Sequence, residues 1–215
     1  MEIERRQFLK TAGAGACLAA LKLPSVSADP GSAMPNIVLC MADDQGWGDL
    51  SIHGNQILST PVLDQLAAES VRFDRFYVCP VCAPTRASLL TGRYHLRTGT
   101  SWVTHRKEVM RSEEYTLAES FHDNGYKTAC IGKWHNGEQY PNDPLGQGFD
   151  EFFGFINGAS AYFINDNPRG RLLRGETPVE KEDEYLTDAF GREAVSFIER
   201  NKDNKFLLYL SLIHI

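Results

Sequence analysis

The sequence predicts an α/β fold built on a mostly parallel sheet, and three observations carry that prediction. Apolar runs of strand length stand at Asn36–Met41, Tyr126–Ile131 and Lys205–Leu210, and continuous apolar character suits strands covered on both faces. Helical patterns fall between them. The first two runs lead straight into polar, chemically capable residues, as expected where ligands bind just past the carboxyl ends of strands.

The 215 residues are enough for one good core, and the composition, 42% hydrophobic and 23% charged, is that of an ordinary soluble domain. A net charge of −6 argues against a nucleic-acid partner, and no basic stripe overrides it. Five irregularly spaced cysteines describe no disulfide framework.

Residues 1–28 read as an export signal. Arg5-Arg6-Gln7-Phe8-Leu9-Lys10 resembles a twin-arginine motif, a weakly apolar stretch runs from Ala12 to Leu23, and Val26-Ser27-Ala28 offers a small-residue cleavage site. The apolar stretch is interrupted by Lys22 and falls short of the roughly 20 residues of a membrane span. Residues 29–34 form a linker. The first strand then delivers Asp43-Asp44, and Asp49 beyond them reads as structural. Adjacent carboxylates need a compensating cation or basic group, and oxygen donors suit Ca²⁺ or Mg²⁺; an Asp-rich turn is the plainer alternative. Thr60-Pro61 opens a helix through about Ser70 that buries Val62, Leu63, Leu66 and Ala67. A strand over Val71–Val78 is expected to follow.

That strand leads to Cys82-Ala83-Pro84-Thr85-Arg86-Ala87-Ser88-Leu89-Leu90-Thr91-Gly92-Arg93, the stretch around which the chain is organised. Pro84 suits a first helical position and Gly92 a C-terminal stop. Cys82 then sits just before a helix N-terminus, where free N–H groups favour negative charge, and Arg86, a turn further in, is expected to reach back to it. An inert buried cysteine, or a Cys79/Cys82 C-x-x-C pair serving redox chemistry or half a zinc site, are the alternatives.

The polar stretch from Tyr94 to Ser112 is expected to lie over the site, with His95 and His105 as solvated loop histidines. Thr116–Glu119 is a capping box and Gly125 a helix stop. The strand from Tyr126 ends in Gly132-Lys133-Trp134-His135, and alternation along an extended backbone points Lys133 and His135 to one side. Tyr185–Asn201 forms an amphipathic helix with Phe190, Ala194, Phe197 and Ile198 on one face.

The Cys82–Arg93 run resembles the signature of the type I sulfatases, and Asp43-Asp44, Gly132-Lys133-Trp134-His135 and the glycine-aromatic segment Gly146–Phe155 extend the likeness from Pro35 to Leu210. The resemblance implies an alkaline-phosphatase-like sandwich with a central, mostly parallel sheet, truncated here before its C-terminal part, so that the catalytic domain's N-terminal part occupies residues 35–211. It implies that Cys82 is oxidised by a formylglycine-generating enzyme to Cα-formylglycine, whose hydrate attacks a small-molecule or glycan sulfate ester. Arg86, Lys133 and His135 would be catalytic, and Asp43, Asp44 and the converted Cys82 would bind Ca²⁺. The product would be exported by the twin-arginine translocase to the periplasm or medium, without a stable membrane span. Two departures stand out: Asn136-Gly137 where the family has Leu-Gly, and Ala161 where an acidic residue often precedes the tyrosine, here Tyr162. Residues 212–215 break from the family pattern and read as a non-native tail, and the 215 residues alone are expected to be inactive. The rivals are a phosphonate or phosphate monoester hydrolase of the same superfamily, a Cys79/Cys82 thiol-disulfide protein, and a non-catalytic binding module on the same fold.

Because a twin-arginine signal is read by a receptor, lysine at both Arg5 and Arg6 should abolish export of a periplasmic reporter fused to residues 1–34. Undiminished export by the double variant would rule this route out.

Overall fold

Strand β6 (Phe206–Ser211) lies between β1 (Ile37–Met41) and β2 (Lys127–Lys133), parallel to both. A third parallel neighbour, β3 (Glu151–Phe155), follows β2, and the short antiparallel strands β4 (Leu173–Arg174) and β5 (Thr177–Pro178) complete the order β1-β6-β2-β3-β4-β5. This computed structural model describes residues 34–164 and 171–213. The expected leader, most of the linker, and His214 and Ile215 lie outside the described residues.

Register decides where the chemistry falls. Met41, Ser211, Gly132 and Gly154 stand in one row across β1, β6, β2 and β3. The segments that leave these strands therefore emerge along a single edge, and they carry Asp43, Lys133, His135 and Gly158.

Alternation along the strands sends one set of side chains to each face. On one face Ala129, Ile131, Phe153, Phe155, Phe206 and Leu208 pack against Leu186, Phe190, Ala194 and Phe197 of helix α4 (Leu186–Asn201). On the other, Cys130, Phe152 and Tyr209 meet Ala87 and Leu90 of α2 (Cys82–Thr91) and Ala118 of α3 (Leu117–Asp123). A sheet covered by helices on both sides results, as the apolar runs predicted. The capping box at α3 forms as read: Thr116 Oγ1 accepts from Glu119 N at 3.1 Å, and Glu119 Oε2 accepts from Thr116 N at 2.7 Å.

Three expectations are corrected. The segment Val71–Val78 forms no strand, and Val71, Phe73 and Tyr77 are largely exposed; its β-propensity has no neighbouring strand to pair with among the described residues. Helix α1 (Pro61–Ala68) ends sooner than read and buries none of its residues, Val62 being 78% exposed. Polar contacts anchor its first turn instead, since Asp64 accepts from Ser51 Oγ at 2.6 Å and from Ile52 N at 3.0 Å. Strand β1 is parallel as expected but half-buried, because it has a partner on one side only. Leu212 donates its N–H to Met41 O at 2.9 Å, and Ile213 joins the α4-side core.

The close stacking of β2 and β3 makes a sharp test. A Cβ on Gly154 would collide with the backbone carbonyl of Gly132, whereas one on Gly191, inside α4, meets nothing within 4 Å. Gly154→Ala should destabilise by roughly 1–3 kcal/mol, and Gly191→Ala should stabilise by up to about 1 kcal/mol. Urea midpoints at constant m-value measure both.

Candidate active site

Helix α2 begins two residues earlier than its proline suggests. Val81, extended at φ −140°, is the N-cap, so Cys82 is the first helical residue and Pro84 the third. Pro84 is still accommodated, because the first four N–H groups of a helix have no intrahelical partner. Thr85 Oγ1 donates to the carbonyls of Val81 and Cys79, each at 3.0 Å, and locks the turn that presents Cys82. At the far end Gly92 adopts φ 64° and donates to Ser88 O, as a left-handed cap requires.

Arg86 is 1% exposed and donates to Asp43 Oδ2 (2.6 Å), Tyr209 OH (3.1 Å), Lys133 O (3.2 Å) and Ser211 Oγ. Its hydrogen bonds thus run to the ends of β1, β2 and β6, not back to Cys82 as the sequence suggested. A carboxylate and oxygen acceptors bind a guanidinium better than a thiol does. Lys133 is fully buried, with Nζ 2.7 Å from the same Asp43 oxygen in a second ion pair. Burial alone would raise the Asp43 pKa, but Lys133 and Arg86 outweigh it and hold the carboxyl below its ordinary value. Arg86 and Lys133 thus compensate Asp43 from two sides, while Asp44 lines the same cleft as a second carboxylate.

His135 does enter the same site as Lys133, though not by simple strand alternation. Strand β2 ends at Lys133, and His135 takes a left-handed φ of 62°. Its Nδ1 lies 3.1 Å from Cys82 Sγ, and its Nε2 lies 3.0 Å from Val103 O. A carbonyl can only accept, so Nε2 carries the proton and Nδ1 presents its lone pair to Cys82. Burial, then the Lys133 charge, push the imidazole pKa down to about 4. Gly158 makes room for the ring, since a Cβ there would come within 2.6 Å of Nε2.

Asp43, Asp44, Cys82 and Arg86 line one cleft of ≈ 440 Å³; Cys82 and His135 also line a second, of ≈ 510 Å³. The nucleophile candidate therefore borders both. As donors, Asp43 and Asp44 fit a hard cation in kind but not in number: Ca²⁺ takes six to eight oxygens, and no group of three or more metal-binding side chains occurs among the described residues. Cys79 lines the first cleft beside Cys82, and both are free thiols. Burial pushes the Cys130 thiol far up, which makes it inert. His95 turns away to bond Thr100 O, while His105 lines the second cleft.

Several site residues escaped the sequence reading. Buried polar atoms without a hydrogen-bond partner, among the described residues, are Arg86 Nε, Lys133 Nζ, Glu108 Oε2, Asn136 Oδ1 and Gln147 Oε1. Arg86 and Glu108 each share a cleft with Cys82, Asn136 binds the carbonyl next to it and Lys133 meets Asp43. Unsatisfied groups so concentrated mark a functional site. Asn136, fully buried, donates to both Ala83 O (3.1 Å) and Glu108 O (3.3 Å), so it ties the start of α2 to the loop above it. Its one visible signal was the Asn in place of Leu after the Lys-Trp-His run. Tyr209 and Ser211 gave none, because their role depends on β6 lying beside β2.

The sulfatase family model matches residues 35–215. The chain belongs to the sulfatase family. It is 34% identical over 210 residues to dog N-acetylgalactosamine-6-sulfatase, covering 83% of this chain and 39% of that protein. To rat arylsulfatase G it is 41% identical over 171 residues, 75% of this chain and 32% of that one. Among solved sulfatase-fold structures, Ps i-CgsB in complex with k-i-k-neocarrahexaose superposes with a TM-score of 0.76 at 31% identity, over 84% of this chain and 45% of that one. These neighbours establish the alkaline-phosphatase-like fold. The chain spans less than half the length of each relative.

The His135 tautomer has a direct readout. Long-range ¹⁵N NMR should show a neutral, Nε2-protonated ring from pH 8 to 5. Between the ordinary 6.5 and about 4 the unfolded chain binds the proton that the folded one refuses, so this contribution to stability falls as pH drops. His135→Gln should flatten the stability–pH slope in that window, and an unchanged slope would contradict the assignment.

Proposed function

We propose that this sulfatase-family chain supplies the nucleophile of a sulfuric ester hydrolase, with Cys82 converted to Cα-formylglycine. One observation carries the reading: position 82 opens a helix, borders both clefts, and faces the lone-pair nitrogen of a neutral, buried histidine. The Cys82 sulfur stands where the oxygens of the hydrated aldehyde would be. One hydroxyl of that hydrate attacks sulfur as the S–O bond to the alcohol breaks and the alcohol leaves. Deprotonation of the second then expels sulfate and returns the aldehyde, an exit that a serine lacks.

His135 Nδ1 is placed to take the proton from a hydroxyl at position 82, and the Val103 carbonyl keeps the ring in the tautomer that can do so. The free N–H groups at the start of α2 favour negative charge there. Lys133 and Arg86, already fixed against Asp43, offset charge on the sulfate without reorganising. Asp43 and Asp44 would hold Ca²⁺, the remaining ligands coming from the length of the family that this chain does not span; bound there, the ion acts as a Lewis acid toward sulfate oxygens. Mg²⁺ suits the site less, because it demands stricter octahedral geometry. Export through the twin-arginine route to the periplasm or medium completes the reading, with conversion of Cys82 beforehand. No helix among the described residues is long and apolar enough to cross a membrane.

In the enzyme co-produced with a formylglycine-generating enzyme, the peptide containing residue 82 should react with a hydrazide probe. Sulfate should be released from an aryl sulfate faster than phosphate from the matching aryl phosphate. Cys82→Ser, in a host that cannot oxidise serine, should attack once and stop, accumulating a sulfated serine visible by mass spectrometry. Multiple turnover by that variant without any aldehyde would refute the hydrate mechanism for this protein.

A further inference from the structure

The second cleft has a distinct chemical character. At ≈ 510 Å³ it falls in the range of small-molecule sites. Away from Cys82 and His135 its polar wall consists of Glu108, Glu138, Thr104 and His105, facing the apolar Val103 and Ile156 and the small residues Gly137, Gly158 and Ala159. Glu108 is held in place through its backbone: its carbonyl accepts from Asn136 Nδ2, which also binds Ala83 O beside the nucleophile. The hairpin bearing Glu108 is closed by Ser101 and Trp102 N–H groups on Lys107 O, with His105 and Arg106 at φ 59° and 63° in its tip. At the end of this scaffold, Glu108 Oε2 is shut off from solvent and has no donor among the described residues. Such an acceptor is costly unless a partner arrives.

Resting on the sulfatase reading above, we propose that this cleft is the alcohol subsite, and that Glu108 makes it selective for a neutral, hydroxyl-bearing ring: a sugar carrying a single sulfate. The sulfate would lie toward Asp43 and Lys133, and the ring would extend past His135. A carboxylate accepts from ring hydroxyl or amide donors and discriminates strongly against a ligand lacking them, because it is then left unpaired. A plain aryl ring has no such donor. A second sulfate or a carboxylate on the ring would meet Glu108 and Glu138, like charges at close quarters.

The test compares kcat/KM for N-acetylgalactosamine 6-sulfate, a disulfated hexosamine and 4-nitrophenyl sulfate, in the enzyme carrying converted Cys82. Glu108→Gln should lower the sugar-over-aryl ratio roughly ten- to hundredfold, mainly through KM, and narrow the preference for monosulfate over disulfate. Glu108→Asp, which keeps the charge, should recover part of the ratio. An equal loss on sugar and aryl substrates would reduce Glu108 to a structural role and overturn the proposal, as would an unchanged ratio. Binding of unsulfated N-acetylgalactosamine to the Cys82→Ala protein, followed by saturation-transfer NMR, reads the subsite without turnover. It should be present and should weaken in Glu108→Gln. Loss of all sulfate-ester hydrolysis would defeat the sulfatase reading, whereas hydrolysis of aryl sulfate without sugar binding would defeat the subsite alone.

Discussion

Everything at the carboxyl edge of the sheet is tied to one buried carboxylate. Asp43 Oδ2 stands 2.6 Å from Arg86 and 2.7 Å from Lys133, and all three side chains are essentially sealed from solvent. Removing one member would leave charge buried without its partner, a change that typically costs about 3–5 kcal/mol. The arrangement is therefore rigid by necessity. It also links three separate stretches of chain, since Asp43 follows β1, Lys133 ends β2 and Arg86 belongs to α2. A local requirement, neutralising a carboxylate next to Asp44, thereby becomes a tertiary constraint on where the helix bearing Cys82 must sit.

From that constraint the chemistry of the site follows in order. Arg86 is committed to Asp43, Tyr209, Ser211 and the Lys133 carbonyl, so it acts on position 82 through placement and field, not by direct contact. His135 is likewise committed on one side, to Val103 O, and this leaves the other nitrogen to face Cys82. Each side chain around Cys82 is held by bonds that do not involve substrate. Such preorganisation lets charged groups stabilise developing charge without reorganising first. The orphaned Arg86 Nε and Asn136 Oδ1 show the opposite side of this order: the site keeps polar capacity that the described residues do not satisfy.

The family departure at Asn136 carries more structure than its sequence context suggested. An amide in place of an aliphatic side chain lets one buried residue bind both the helix that carries Cys82 and the loop that carries Glu108. The position of Glu108 in the second cleft therefore depends on a residue that does not itself line either cleft. Exposed apolar residues on α1 and over residues 71–77 make no hydrogen bond in this linkage, although the next residue, Val78, lines the first cleft.

What the sequence determined by itself was the family, the main strands and helices, and the candidate residues that stand near the strand ends. The apolar runs that became β1, β2 and β6, the capping box at Thr116, the glycine stop at Gly92 and the amphipathic face of α4 are local patterns, and short-range physics reads them correctly. Cys82, Arg86, Lys133, His135 and the Asp43-Asp44 pair were visible because unusual residue types cluster beside strand ends. Only the tertiary structure decided which of these meet. Pairing of β6 between β1 and β2 brings Tyr209 and Ser211 to Arg86 across more than 120 residues, and no local pattern encodes that neighbour. Burial of the α1 face and strand formation over 71–78 were misread for the same reason: amphipathicity and β-propensity state what a segment can do, and the presence of a partner surface decides whether it does.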